Sequence, residues 1–163
     1  AVGHHQSRWN YYNESDVMNV DSNMAKGNFP YDIIWLDLDY TDDRKYFTWK
    51  PDAFPNPARL LKRLGDLGRQ LVVLIDPHLK SDFYYSDTAI KNGVAIKNST
   101  GQTFFGTCWP GISVWIDSFS QLGTKVWGNF FLTSLMVLKT WVFGMTWMSH
   151  LSLMVLRLLP LRT

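Results

Sequence analysis

The most restrictive feature of this chain is a short apolar run, Ile33–Leu36, that ends in acidic residues. β-Branched and aromatic residues without polar alternation are typical of a strand whose two faces are both buried. Asp37 and Asp39 follow, and we predict that the strand covers Ile33–Asp39, which places the two carboxylates on one face. α/β enzymes bind their substrates where buried strands end. The pattern therefore predicts a buried strand with either a binding site or a solvated turn at its end.

A helix and another apolar strand follow this one. Asn56 suits the N-cap of a helix, Pro57 its first turn, and Gly68 the position after its last turn. The run Gln70–Ile75 then predicts a further buried strand. Strand, helix and strand at this spacing predict a right-handed βαβ unit with a parallel pair. The apolar stripe of the helix consists of Leu60, Leu61, Leu64 and Leu67.

The remaining elements are shorter. Ala1–Gln6 is predicted to be the end of a first strand, and Val114–Asp117 a short strand. Val94–Lys97 and Gln102–Thr107 are predicted to pair as a hairpin around residues 98–101. The predicted helices are Glu14–Met24, Ser86–Asn92 and Ser118–Phe131, and the prolines of Tyr46–Pro57 predict a loop. Trp9, Trp35 and Trp115 are interpreted as core residues.

Five motifs occur in a fixed order along residues 3–111. They are G-H-H-Q-S-R-W-N-Y at 3–11, W-L-D-L-D-Y at 35–40, K-Y-F-T-W-K-P at 45–51, I-D-P-H-L-K at 75–80 and C-W-P-G at 108–111. Together they resemble glycoside hydrolase family 31, the clan of retaining α-glucosidases, and within it the branch of the glucosidase II catalytic subunit and neutral α-glucosidases.

This resemblance implies an α/β fold, a partial (β/α)8 TIM barrel of roughly the first three to four βα units. A complete barrel needs about 250 residues, and this chain has 163. We expect residues 1–131 to form the N-terminal part of the catalytic barrel and residues 132–163 to be a separate apolar tail.

The resemblance also implies a sugar-binding site. Asp37 matches the family's substrate carboxylate, Leu38 and Trp109 match its apolar walls, and Asp76 is a further substrate-binding candidate at the next strand end. Retaining glycosidases use two carboxyl groups, a nucleophile and a general acid/base. Both belong to later parts of the family's barrel, so we assign no catalytic residue here. The family needs neither a metal nor a cofactor.

The tail differs from the rest of the chain in charge. Residues 1–117 carry 12 basic side chains and all 14 acidic ones, whereas residues 118–163 carry four basic ones and no acid. A core helix is one interpretation. A membrane anchor is another, although Thr140–Leu156 has only 17 residues without Lys, Arg, Asp or Glu, fewer than the ~20 that span a bilayer, so we expect no membrane span.

A third interpretation is a shifted reading frame. Residues 144–148 are encoded by GGN-ATG-ACN-TGG-ATG, and reading from one nucleotide earlier permits W-N-D-M-D. Permitted codons for residues 149–163 continue this as E-P-S-V-F-D-G-P-E-T-T-A-P-K-D. Family members carry W-N-D-M-N-E-P-S, in which the Asp after Asn is the nucleophile. The tail is therefore interpreted as a frame-shifted copy of the nucleophile strand.

Three function classes remain open. The first is a fragment of a retaining α-glucosidase, inactive alone; intact relatives act on terminal α-linked glucose of N-glycans in the endoplasmic reticulum lumen, with a regulatory β subunit. The chain has no signal-peptide pattern of its own. The second is a non-catalytic sugar-binding remnant or pseudogene product. The third is a metal-dependent hydrolase that uses Asp37, Asp39, Asp76 and His78. The first 117 residues carry no basic patch with interleaved aromatics, so nucleic acid is not an expected partner.

Overall fold

The computed structural model of this chain describes residues 3–138 and 143–144. Two short 3₁₀ turns, Leu38–Tyr40 and Asp42–Arg44, occur besides the regular elements. The helices and strands are β1 (His5–Arg8), α1 (Glu14–Lys26), β2 (Ile33–Leu36), α2 (Pro57–Asp66), β3 (Gln70–Leu74), β4 (His78–Lys80), α3 (Tyr84–Lys91), β5 (Gly106–Cys108), β6 (Gly111–Trp115), α4 (Gln121–Leu138) and β7 (Phe143–Gly144).

The main sheet is parallel and has the order β1-β2-β3-β7. The predicted βαβ unit is confirmed, because α2 connects β2 to β3. Asn56 caps α2 by accepting a hydrogen bond from the Arg59 backbone N–H at 3.0 Å, and Gly68 follows the helix with φ +74°. Consecutive parallel strands in one sheet are the arrangement expected for the first units of a (β/α)8 barrel.

Two strand boundaries differ from the sequence-based prediction. β1 begins at His5, because its partner β2 begins at Ile33 and the two residues are in register. β2 ends at Leu36, because the Asp37 carboxylate accepts a hydrogen bond from the Leu38 backbone N–H at 2.7 Å and turns the chain into the first 3₁₀ turn. The prediction that the strand continues to Asp39 is therefore wrong, and the two carboxylates do not share a strand face.

A second, antiparallel sheet of order β4-β6-β5 is formed by the segment of chain between β3 and β7. The predicted hairpin around residues 98–101 is present only as one bridge, between Lys97 and Thr103. β5 instead pairs with β6 across the turn that carries Trp109. Alternation within each segment could not reveal this, because the choice of partner depends on β6, which the sequence placed only approximately.

The core lies between the main sheet and the helices. Ile34, Leu36 and Val73 are fully buried strand residues. Phe47, although it lies in a loop, is buried, and its ring packs against an aromatic cluster from α3 and α4 that consists of Tyr85, Trp127, Phe130 and Phe131. The loop after β2 is thereby fixed to α3 and α4.

Most of the tail lies outside the described residues. Helix α4 continues past the predicted end at Phe131 to Leu138, and Phe143–Gly144 pairs with β3. Among the residues that the structure describes, no helix is long and apolar enough to cross a membrane.

Candidate functional site

An open cleft lies where β1 and β2 end. Its volume is about 320 Å³. Four segments contribute to it: the chain after β1, the two 3₁₀ turns after β2, the loop that follows these turns, and the turn between β5 and β6. The lining residues are Trp9, Tyr12, Leu38, Asp39, Thr41, Asp43, Arg44, Lys50 and Trp109. Leu38 and Trp109, two of the four predicted substrate-binding residues, therefore line the same cleft.

Asp37 is not among the lining residues, but it directly precedes Leu38, its carboxylate is hydrogen-bonded to the Trp9 side chain, and it is half-buried. Burial raises the pKa of its carboxyl group, and the nearby charge of Asp39 raises it further. Hydrogen bonds from the Leu38 backbone and the Trp9 side chain lower this pKa and so favour the carboxylate. A carboxylate accepts hydrogen bonds at up to about four positions, so Asp37 retains acceptor capacity for a polyhydroxylated ligand.

Two exposed indole rings form one wall of the cleft. Trp9 and Trp109 are 54% and 46% exposed, and their rings meet edge-to-face with centroids 6.1 Å apart. The interpretation of Trp9 as a core residue is therefore wrong. Large exposed aromatic surfaces in a cleft are typical of binding sites, and sequence reasoning missed Trp9 although it lies in the first family-like motif.

Trp109 is held by an arginine from the other side of the cleft. Arg44 donates a hydrogen bond from Nη1 to the Trp109 carbonyl oxygen at 2.9 Å. Arg44 and Asp43 both have positive φ angles, 57° and 50°. Lys80 stabilises this unusual backbone, because its Nζ lies 2.8 Å from the Asp43 carboxylate and donates to the Asp43 carbonyl at 3.0 Å. Sequence reasoning also missed this contact.

Asp39 binds backbone and not a neighbouring side chain. Its Oδ2 accepts a hydrogen bond from the Asn10 backbone N–H at 2.8 Å. Asn10 has φ 75° and directly follows Trp9. Asp39 therefore connects the end of β2 to the segment that presents the Trp9 ring.

Asp76 is in a different environment from Asp37. It is 1% exposed and accepts a hydrogen bond from the Tyr46 hydroxyl at 3.0 Å. His78 Nε2 lies 3.3 Å from the same hydroxyl and 3.9 Å from Asp76 Oδ2. Burial lowers the pKa of His78 to about 4 and raises that of Tyr46. Asp76 is not among the residues that line the cleft, so the structure does not bring it together with Leu38 and Trp109.

The hypothesis of a metal-dependent hydrolase does not fit this geometry. Asp37 and Asp39 belong to the turn after β2, whereas Asp76 and His78 form the buried cluster with Tyr46. In the part of the chain that the structure describes, no three His, Cys, Asp or Glu side chains are placed to hold a metal ion. The four proposed ligands therefore do not form one site.

The chain matches a known protein family. The profile described as "Glycosyl hydrolases family 31 TIM-barrel domain" matches residues 1–150. "Glucosidase 2 subunit alpha" of Saccharomyces cerevisiae is 57% identical over 131 residues, which cover 80% of this chain. "Neutral alpha-glucosidase AB" of Homo sapiens is 41% identical over 133 residues. The chain spans about 14% of the length of these relatives.

Solved structures of related proteins superimpose on this chain. The crystal structure of a glucosidase II alpha subunit bound to alpha3-Glc2 superimposes with a TM-score of 0.76 and 45% identity, over 79% of this chain and 14% of that chain. An ER glucosidase II heterodimeric complex of the catalytic subunit with the binding domain of the regulatory subunit gives the same TM-score and identity. An α-xylosidase from Xanthomonas citri shares only 18% identity but has a TM-score of 0.74, which shows the same fold.

Proposed function

This chain belongs to glycoside hydrolase family 31, and we propose that it supplies part of the sugar-binding site of a retaining α-glucosidase that removes terminal α-linked glucose. The observation that supports this proposal is the cleft at the strand ends, which Leu38 and Trp109 both line and next to which Asp37 lies. The 57% identity to a glucosidase 2 alpha subunit supports α-linked glucose as the ligand.

The chemistry of the cleft suits a sugar. Asp37 offers carboxylate oxygens that accept hydrogen bonds from hydroxyl groups. Leu38 and the indole of Trp109 offer apolar surface for the C–H faces of a pyranose ring. Asp76 was predicted to bind substrate, and its hydrogen bond with Tyr46 supports a more indirect role, in which it holds the loop after β2.

The 163-residue chain alone is proposed to be inactive. A retaining mechanism needs two carboxyl groups about 5–5.5 Å apart at the scissile bond. Asp37 is oriented by the Leu38 backbone and Trp9 beside the apolar wall, which suits hydroxyl binding, and no acidic residue follows Asp117. The nucleophile and the acid/base must then be supplied by residues that are not among these 163.

We further propose the setting of the intact protein. One relative is described as an ER complex of a catalytic and a regulatory subunit. By analogy, the substrate is a glucosylated N-glycan, the partner is a regulatory β subunit, and the compartment is the endoplasmic reticulum lumen.

The experiment uses a chimera that contains the rest of the barrel. In the S. cerevisiae glucosidase 2 alpha subunit, the matching stretch is replaced by residues 3–131 of this chain. The resulting protein is called the chimera below. We expect the chimera to hydrolyse an aryl α-glucoside. Asp37→Asn should lower kcat/KM by roughly 100-fold or more, because it removes the charge from two hydrogen bonds that Asp37 is expected to accept from substrate hydroxyl groups, each typically worth ~1.5–3 kcal/mol.

Asp52→Asn is the matched control, because Asp52 is an exposed carboxylate outside the cleft. Its kcat/KM should equal that of the parent chimera. Equal activity of Asp37→Asn and Asp52→Asn would contradict the site. Hydrolysis by the isolated 163-residue chain, abolished by Asp37→Asn, would contradict its proposed inactivity.

A non-catalytic remnant or pseudogene product is the second candidate, and the acid-free tail favours it. The boundary near residue 131 stays a prediction: the curated relatives align with about 80% of the chain, and the family profile extends to residue 150. The nucleotide sequence of codons 125–163 tests this proposal. A shifted frame that encodes W-N-D-M supports a former nucleophile strand, and codons that exclude this frame overturn it.

A further inference from the structure

The chain contains two N-x-Ser/Thr sequences that the proposed sugar site does not use. They are Asn13-Glu14-Ser15 at the start of α1 and Asn98-Ser99-Thr100 in the turn before β5. This motif is the acceptor for N-linked oligosaccharide in chains that enter the secretory pathway, provided that it lies at the surface. The structure distinguishes the two.

Asn98, Ser99 and Thr100 are all exposed at the tip of their turn. Asn98 Oδ1 accepts hydrogen bonds from the Thr100 backbone N–H at 3.0 Å, from the Thr100 hydroxyl at 2.7 Å, and from the Gln102 backbone N–H at 3.0 Å. All three bonds use the carbonyl oxygen of the side chain and leave the amide nitrogen out. A sugar on that nitrogen is therefore compatible with the folded turn.

Asn13 is in a more restricted position. It is half-buried, and its side-chain oxygen caps α1 by accepting from the Asp16 backbone N–H at 2.8 Å. The next residue is also fixed, because the Glu14 carboxylate accepts from the Asn56 backbone N–H at 2.8 Å and the Glu14 backbone N–H donates to Ala53 at 3.1 Å. The cap also uses the carbonyl oxygen, so what sets Asn13 apart from Asn98 is its partial burial next to the contacts of Glu14 with the loop before α2.

We propose that Asn98 is an N-glycosylation site of this protein. The donor is a polyprenyl-pyrophosphate-linked oligosaccharide. A bond forms between Asn98 Nδ2 and the anomeric carbon, the bond from that carbon to the pyrophosphate oxygen breaks, the amide loses one proton, and polyprenyl pyrophosphate leaves with the electron pair. The inference rests on the proposed lumenal setting.

A glycan at Asn98 does not interfere with the cleft. The turn at residues 98–101 and the turn that carries Trp109 lie at opposite ends of the segment 103–108. A six-residue extended segment spans roughly 20 Å. The oligosaccharide therefore extends from the end of the second sheet that is farther from Trp109.

The test expresses the 163-residue chain behind a cleavable secretory signal in yeast, and the chimera in parallel. Release by peptide-N-glycosidase in heavy-oxygen water converts each glycosylated Asn into labelled Asp, which peptide mass spectrometry detects. We expect label at residue 98 in most molecules and at residue 13 in few. Asn98→Gln and Thr100→Ala should remove the label at residue 98, whereas Thr100→Ser should retain it.

Protection of the chain from protease in sealed microsomes shows that it has entered the lumen. An unlabelled Asn98 in protected protein overturns the proposal, as does label that persists in Thr100→Ala. The test of glycosylation and the test of hydrolysis can be separated. The chimera with Asn98→Gln should lack the label at residue 98 and still hydrolyse the aryl α-glucoside at the rate of its parent. An inactive parent chimera whose Asn98 is labelled would reject the function and keep the glycosylation site.

Discussion

At the scale of single residues, Arg44 is the contact that joins the two sides of the cleft. Its guanidinium donates to the backbone of Trp109, and its own backbone is held in the left-handed region next to Asp43. A side chain that orients an aromatic wall acts on the ligand indirectly. We therefore regard Arg44 as a positioning residue.

Arg44→Ala in the chimera should raise KM for an aryl α-glucoside by about tenfold with a smaller change in kcat. The reason is that one charge-assisted hydrogen bond, worth ~1.5–3 kcal/mol, then no longer orients Trp109. Steady-state kinetics measure the effect. Arg63→Ala, at an exposed position of α2, is the control and should leave KM unchanged; an equal KM in both variants would reject the positioning role.

His78 gives the second prediction at this scale. Burial lowers its pKa to about 4 in the folded protein, against about 6.5 when unfolded. Between pH 4 and pH 6.5 the unfolded chain binds a proton at His78 that the folded chain does not bind. The contribution of neutral His78 to the free energy of unfolding is therefore fully present above pH 6.5 and is lost as the pH falls to 4. It amounts to at most about 3 kcal/mol.

The thermal inactivation temperature of the chimera, measured from pH 7 to pH 4, should therefore fall less steeply in His78→Gln than in the parent. His4→Gln is the control, because His4 is exposed, and its profile should follow the parent. Parallel profiles for the parent and His78→Gln would show that His78 does not carry this part of the pH dependence.

At the scale of elements, helix α2 packs on the main sheet through one side only. Leu64 is fully buried, whereas Leu67, which belongs to the same predicted apolar stripe, is 51% exposed. The difference arises because α2 ends at Asp66 and Leu67 is already its C-cap. Sequence periodicity could not separate the two leucines.

Leu64→Ala should destabilise the fold by about 2–5 kcal/mol, because it removes buried methyl groups and leaves a cavity. Leu67→Ala should cost less than about 1 kcal/mol. The comparison is made in the chimera as the temperature at which half of the hydrolytic activity is lost. A similar shift for both variants would mean that α2 does not pack on the sheet as described.

At the scale of the whole molecule, the main sheet has open edges. Its order places β1 at one end with a partner on one side only among the described residues. Phe119 and Phe105 are large apolar side chains that remain exposed. Unpaired strand edges and exposed apolar surface favour association between chains.

The isolated 163-residue chain should therefore self-associate at micromolar concentration, whereas the chimera, in which the remaining barrel units cover the edges, should not. Light scattering coupled to size-exclusion chromatography measures both. A monodisperse monomer with a sharp thermal transition would contradict the prediction for the isolated chain.

The parallel βαβ unit, α2 with its N-cap and the family were all predicted from the sequence. These features depend on local signals: the continuous apolar runs, Asn56 and Pro57 at the helix start, and the five ordered motifs. Leu38 and Trp109 were assigned to one sugar-binding site through the family's motifs and not through spacing, and the structure places both in the lining of one cleft. That assignment was possible because motif residues retain their place on a common fold.

Tertiary structure alone decided how the carboxylates are used. Asp37, Asp39 and Asp76 follow apolar strands in the same way in the sequence, yet Asp37 caps a turn beside the cleft, Asp39 binds the Asn10 backbone, and Asp76 is buried against Tyr46. Their environments come from residues distant in the chain, and burial and hydrogen bonding there decide which carboxylate oxygens remain accessible. The sequence by itself thus determined the strands that bring these acids to one edge, and long-range packing decided which of them can meet a ligand.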